Sequence, residues 1–160
     1  LARKYFSSHG PATVYDFSWW SGLSVTESKK ALEMNRPDLI SEVIDNQTYW
    51  FIPSRTIPVK NKKAVCFLPA FDEFIISYKD RTATIPLQFQ ANAFSSNGIF
   101  NPVIVVKGET VGTWKQKLKK DKLVITTNLF RQKKDLNEYD LQKAAVAVGN
   151  FLHKDIEVIF

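Results

Sequence analysis

Three β-patterned runs set close together between Asn97 and Phe130 constrain this chain more than any other stretch. Asn97-Gly98 is a turn signal, and the residues after it are β-prone at 102–107, 110–119 and 123–130. Gly108-Glu109 reads as the first tight turn and residues 120–122 as the second. Runs joined by so few residues can pair only antiparallel, so a meander is expected. Its apolar face needs a cover. Residues 137–152 offer one, with Leu141, Ala144, Ala145, Val148 and Leu152 on one face of a helix. Residues 64–68, buried-looking and ended by Pro69, and residues 156–160 add two strand patterns. Residues 64–160 therefore predict a small antiparallel β-barrel-like unit with one C-terminal helix across it. Within it, Phe71, Phe74, Ile75 and Tyr78 have the spacing of one or two helical turns, and residues 82–96 read as loop.

The first 55 residues follow another plan. Leu1, Ala2, Tyr5 and Phe6 mark a helix that Gly10-Pro11 stops. Residues 13–20 read as a second helix, with Val14, Phe17 and one of Trp19 and Trp20 inward, closed by Gly22. The aromatic set Phe17, Trp19 and Trp20 is read as core. Ser24-Val25-Thr26-Glu27 is a capping-box pattern that opens a third helix over 25–34. Val25, Ser28, Ala31 and Leu32 face its core side, while Lys29, Lys30 and Glu33 face out. Asn35 to Asp38, with Pro37, closes it. Residues 39–45 and 48–52 read as strands joined at Asn46-Gln47. Helix, helix, turn, helix and hairpin is the layout of a winged helix. The expectation is an α+β chain: a winged helix over 1–55, a linker over 53–63, and the β-rich unit over 64–160.

Composition narrows the class. Hydrophobic residues make up 44% and charged residues 24%, which excludes a disordered tail, a collagen-like repeat and a coiled coil. The longest uncharged stretch, 82–106, contains Pro86, Pro102, two Gln and three Asn, so no membrane span is expected. A lone cysteine, Cys66, and the lack of a secretory signal at the start fit a reducing, cytoplasmic setting. The chain opens at Leu1 within a helical pattern, as a piece of a longer protein would. Its net charge of +6 is concentrated: residues 107–134 carry nine Lys/Arg against two Asp/Glu, whereas residues 1–55 carry six of each. Such local bias points to a polyanion partner, with a solvated lysine face as the bland alternative. Lys115, Lys117 and Lys119 alternate and so share one strand face, with Lys120 just beyond. A lysine row on a hairpin can track phosphates. Trp114 points the other way and is expected in the core.

Motifs for catalysis are scarce. Cys66, His9 and His153 are too scattered for zinc, so no metal is expected, and His9 reads as a helix end. No P-loop, GxGxxG or GxSxG pattern occurs, and no cofactor is expected. Asp72-Glu73 would supply a general base if buried together, and otherwise open a helix. Asp80-Arg81 reads as a local ion pair or capping set. Gln88-Phe89-Gln90 would put two amides on one strand face, or form a polar loop face.

Several segments together resemble a known family. They are Tyr5-Phe-Ser-Ser-His-Gly-Pro-Ala-Thr13 with Asp16-Phe17, Trp20-Ser-Gly-Leu23, Leu68-Pro-Ala-Phe-Asp-Glu-Phe74, Tyr78-Lys-Asp-Arg81, Asn97-Gly-Ile-Phe100, Pro102, Gly108 and Val111-Gly-Thr-Trp114. The sequence resembles the C-terminal half of the winged-helix DNA-binding family that includes AlkZ-type DNA glycosylases. The resemblance implies tandem winged helices scaffolding a C-terminal β-barrel, of which this chain would be the last winged helix plus the barrel. It implies double-stranded DNA, intact or damaged, as partner, together with upstream winged helices of the same parent. Its glycosylases remove alkylated or cross-linked bases, using a glutamine, one residue, then glutamine or aspartate in the first winged helix. Gln88-Phe89-Gln90 has these letters but lies in the barrel half, so it takes no catalytic role here. Lys29, Lys30, Arg36, Lys115, Lys117, Lys119 and Lys120 are the expected DNA contacts. Asp72, Glu73, Asp80 and Arg81 are candidate cleft residues. This chain alone is not expected to turn over. A structural or protein-interaction module without DNA binding is the alternative.

Overall fold

The structure, a computed structural model, describes residues 1–53, 65–120, 122–130 and 136–160. The expected linker beyond Pro53, Ala64 at the head of its strand and Asp121 in the second meander turn lie outside the described residues. The chain divides into two compact units.

The first unit opens with helices α1 (Ala2–Ser8), α2 (Val14–Ser21) and α3 (Val25–Glu33). A 3-10 turn, Arg36–Asp38, leads into a hairpin of β1 (Ile40–Ile44) and β2 (Gln47–Phe51). Residues Glu73–Asp80, with the single-turn helix α4 (Glu73–Ile76), belong to this unit rather than the second. Two capping boxes set the helix starts. The Ser24 hydroxyl accepts from the Glu27 N–H while the Glu27 carboxylate accepts from the Ser24 N–H. The Ser24 hydroxyl, and then its N–H, hold the Glu27 carboxyl below the usual range. Thr13 and Asp16 repeat the arrangement at α2. Gly22, left-handed at φ 73°, ends α2 as expected.

Tyr5, Phe6, Ala12, Phe17, Leu32, Leu39 and Trp50 form the core of this unit. Ser28 and Leu32 are buried and Lys29, Lys30 and Glu33 exposed, matching the expected faces of α3. Trp19 departs from the expected core: it is 51% exposed, whereas Phe17 is fully buried and Trp20 packs against the core. At 3.6 residues per turn, Trp19 lies about 200° around the helix from Phe17, so one core face cannot take both. The hairpin turn falls on Asp45-Asn46, with φ of 49° and 61°, one residue before the expected Asn46-Gln47. A two-residue turn of this kind needs two left-handed positions, which Asp and Asn tolerate and Gln does not favour. Ala12 and Trp50 exchange both backbone hydrogen bonds, at 3.1 and 2.8 Å, on the other edge of β2.

Gly10 is where this packing is tightest. A Cβ there would meet the Phe6 carbonyl oxygen and lie 2.7 Å from Phe51 Cβ and 2.9 Å from Phe51 Cα. Backbone cannot swing away as a flexible side chain can. Gly10→Ala is expected to cost about 2–4 kcal/mol of stability, read as a lower urea midpoint with an unchanged slope. A shift equivalent to under about 0.5 kcal/mol would show that the strand yields.

The second unit is a five-stranded sheet in the order β3-β4-β5-β6-β7. The strands are β3 (Val65–Leu68), β4 (Val103–Val106), β5 (Glu109–Lys119), β6 (Lys122–Leu129) and β7 (Asp155–Ile159). The meander β4-β5-β6 is antiparallel, as the turn signals require. Its first turn is Lys107-Gly108, at φ 53° and 85°, again one residue early because two left-handed positions are needed. The expectation of an all-antiparallel unit fails at the last strand: β7 pairs parallel with β6. Helix α6 (Glu138–Leu152) is the crossover that makes this possible, returning the chain to the end where β6 began. Helix α6 touches both edge strands, β3 and β7. With strands about 4.8 Å apart, a five-stranded sheet reaches both sides of one helix only if it curls. The result is a half-barrel, open between β3 and β7, rather than a closed barrel.

Ile104, Val111, Trp114, Leu123, Ile125, Leu141 and Ala145 fill its core. Leu152, expected on the buried face of α6, ends the helix 38% exposed. Strand β3 is an edge, and Cys66 is exposed on it rather than buried. The expected loop over 82–96 contains a 3-10 turn, Leu87–Phe89, and the one-turn helix α5 (Gln90–Ala93). Single turns are too short to display a period, so the pattern was silent there. No helix among the described residues is long and apolar enough to cross a membrane.

Candidate functional site

Asp16 is the polar centre of the first unit. Its side chain is buried with the residue 4% exposed. One carboxylate oxygen accepts from the Thr13 N–H at 2.9 Å and the Thr13 hydroxyl at 2.8 Å. The other accepts from the N–H groups of Lys79 at 2.8 Å and Asp80 at 3.3 Å. One carboxylate thus caps α2 and anchors a segment 63 residues away.

Beside it lies a cluster that sequence reasoning missed. His9 closes α1, as expected of a helix end, and its ring stacks on Tyr5 at 4.9 Å. Its Nε2 is 3.6 Å from a Glu73 carboxylate oxygen. That oxygen also accepts from the Ser77 hydroxyl and from the Trp20 indole N–H at 3.3 Å. Tyr5 donates to the Ser77 carbonyl and Tyr78 to the His9 carbonyl, each at 2.9 Å. Burial first, then the Asp16 carboxylate, pushes both phenols above their ordinary range, so both remain donors. The signal was present in the sequence. Tyr5, His9, Asp16, Trp20, Glu73 and Tyr78 all sit in the quoted motif segments, but their distance along the chain hid that they meet.

The four expected cleft residues are divided between the units, Glu73 and Asp80 in the first and Asp72 and Arg81 in the second. The general-base reading of Asp72 and Glu73 required joint burial, but the Glu73 side chain is 61% exposed and opens α4. Asp80 is exposed on the first unit and donates its N–H to Asp16. Arg81 is buried in the second unit, its guanidinium carbon 5.0 Å from the ring centres of both Phe94 and Phe100. Gln88-Phe89-Gln90 occupies helical turns rather than a strand. Phe89 stacks on Phe130 at 4.7 Å, and the Gln90 amide donates to the Ile85 carbonyl at 3.4 Å. Among the described residues, no group of three or more His, Cys, Asp and Glu could hold a metal ion.

Of the expected cationic residues, Lys29 and Lys30 stand exposed on α3. Arg36 is engaged locally, 4.3 Å over the Trp50 ring and 3.4 Å from Glu33. In the second unit, Lys115, Lys117 and Lys119 are exposed at alternate positions of β5. Lys119 lies opposite Lys122 of β6, and Lys120 is exposed in the turn between them. Alternate strand residues repeat about every 6.8 Å on one face, so the ammonium groups form a row. Trp114 faces away, 6% exposed, and donates its indole N–H to the Leu68 carbonyl at 2.8 Å.

A family model described as DNA glycosylase AlkZ-like matches residues 1–151. No curated protein matches the chain. Among solved structures, Streptomyces sahachiroi DNA glycosylase AlkZ is similar, with a TM-score of 0.74 at 19% identity. The match covers 98% of this chain and 44% of that one, so the chain spans less than half of that protein's length.

Proposed function

The chain belongs to the AlkZ-like DNA glycosylase family, and from that premise we propose that it is a DNA-contacting part of a protein that removes alkylated or cross-linked bases. The lysine row of β5 carries this reading. Lys115, Lys117 and Lys119, with Lys120 and Lys122, present five ammonium groups within eight residues. A row of this kind binds the phosphate backbone and positions a duplex without reading its sequence. The first unit, read as a winged helix, adds Lys29 and Lys30 on α3, with Arg36 supplying a weaker contact because it is already engaged. Hydrolysis of the N-glycosidic bond needs a placed water and an accessible base. Gln88 and Gln90, on helical turns, do not supply that pair of amides, so the chemistry is assigned to parts of the parent outside these 160 residues. The exposed apolar residues Ile40, Val43 and Ile44 of β1 favour a second reading, in which the hairpin is a protein contact and the chain is scaffold.

Fluorescence anisotropy of a labelled duplex, titrated with the chain at several salt concentrations, separates the two. Phosphate contact by three to five lysines predicts that log affinity falls against log salt with a slope of about −3 to −4.5. Absent or salt-insensitive binding would sink the DNA reading and favour the scaffold.

A further inference from the structure

An open cleft of about 350 Å³ adjoins the lysine row on the second unit. Asn92, Asn101, Thr113, Lys115, Thr126 and Asn128 line it, and the neighbouring Trp114 and Thr127 border it. Thr113 pairs across the sheet with Asn128, and Lys115 with Thr126, so these four lie on the face that also carries Lys117 and Lys119. Asn92 comes from α5 and Asn101 from the residues before β4, and the Asn101 amide donates to the Asn92 carbonyl at 2.8 Å. The two sides of the rim are thereby tied together.

The chemistry of this lining is selective. Among the described residues it offers amides, hydroxyls, one ammonium and, in Trp114, one indole, and no carboxylate or imidazole. A divalent cation would find no charged oxygen, and a cationic peptide would meet Lys115. An apolar ligand would strand the amides. What the set does satisfy is a group with an anion at one end and mixed donors and acceptors at the other, since each side-chain amide both donates and accepts. The volume is at the small end of ligand sites. Lys115 belongs to both the cleft and the row, so a strand lying along Lys119 and Lys117 runs into the cleft.

We propose that this cleft binds a single nucleotide unit of a DNA strand, its phosphate on the Lys115 ammonium and its base edge against the amides of Asn92, Asn101 and Asn128. The ligand class rests on the DNA reading above. The cleft would hold one unpaired nucleotide while the lysine row holds the strand beside it.

The test is an NMR titration of the isotope-labelled chain with deoxyadenosine monophosphate, inorganic phosphate and a short single-stranded oligonucleotide. The nucleotide is expected to shift the side-chain amides of Asn92, Asn101 and Asn128 and the backbone amides of Lys115 and Thr126. The oligonucleotide is expected to shift the same signals at about tenfold lower concentration, because Lys117 and Lys119 then engage as well. Thr126→Val with Asn128→Leu, both exposed and tolerant positions, should weaken the nucleotide about fivefold, the effect of one or two hydrogen bonds, while the rest of the spectrum stays folded. Silent asparagine amides up to about 10 mM nucleotide, well above weak millimolar binding, would overturn the proposal. So would equal shifts with inorganic phosphate alone, and an oligonucleotide that binds no tighter than the mononucleotide would overturn the assignment to a strand. The two readings fail separately. Salt-dependent duplex binding with a silent cleft removes the cleft alone, and a responsive cleft without salt-dependent duplex binding removes the lysine row.

Discussion

Replacing Asp16 with alanine is expected to lower the unfolding free energy by about 3–5 kcal/mol, the largest stability effect of any single substitution considered. The side chain serves two ends at once. It completes the cap of α2 through Thr13, and it receives the Lys79 and Asp80 N–H groups. Loss of a cap alone costs about 1 kcal/mol. The larger share comes from the donors left behind, buried at Thr13 and partly buried at Lys79 and Asp80, because a donor shut off from both carboxylate and water forfeits its hydration with nothing in return. Against a typical stability of about 5–15 kcal/mol, such a loss brings the first unit close to its folding threshold. Urea denaturation checks it, with Asp16→Asn as companion. Asparagine retains one carbonyl acceptor of the right size and should recover about half the loss. An alanine variant within about 1 kcal/mol of the parent would mean that water replaces the carboxylate, and that Glu73–Asp80 is held by its aromatic contacts instead.

Lys115→Ala, Lys117→Ala and Lys119→Ala together are expected to have the largest effect on binding. At low salt, duplex affinity should fall about a hundredfold, roughly 1 kcal/mol for each lost phosphate contact. The salt slope should flatten by about 2.7, since each neutralised phosphate contributes about 0.9. The slope is the sharper readout, because a misfolded variant loses affinity without acquiring a smaller, well-defined slope. The side chains are exposed, so the fold should not change. Two companions separate charge from surface. The triple arginine variant keeps the charges and should keep the slope. Leu118→Ala, 58% exposed between the lysines but on the other face, should change neither quantity. A triple alanine variant with the parental slope would clear the row of any role in phosphate contact.

Local features of the fold were legible along the chain. Ser24 and Glu27 announced α3, Gly22 announced the end of α2, and alternation around Trp114 set which face of β5 is core and which carries lysine. Each depends on neighbours within about four residues, where spacing fixes direction. The hairpin turn and the first meander turn were legible in kind but misplaced by one residue, because the choice between adjacent pairs depends on which can hold two left-handed positions. Thr13 and Asp16 carried the same capping signal as Ser24 and Glu27, and their box was readable in the letters.

The rest depended on which distant segments meet. Sequence by itself determined helix starts, the meander, the lysine row and, through the quoted motifs, the family. Only the tertiary structure decided that β7 runs parallel to β6, that Glu73–Asp80 joins the first unit, and that His9 and Glu73 lie side by side. It also turned Trp19 outward and gathered Asn92 and Asn101 beside Lys115 around one cleft. The division has one physical cause. Propensity, capping and alternation are short-range preferences written into each segment, whereas pairing partners are chosen by burying shared apolar surface and satisfying buried polar groups across the whole chain.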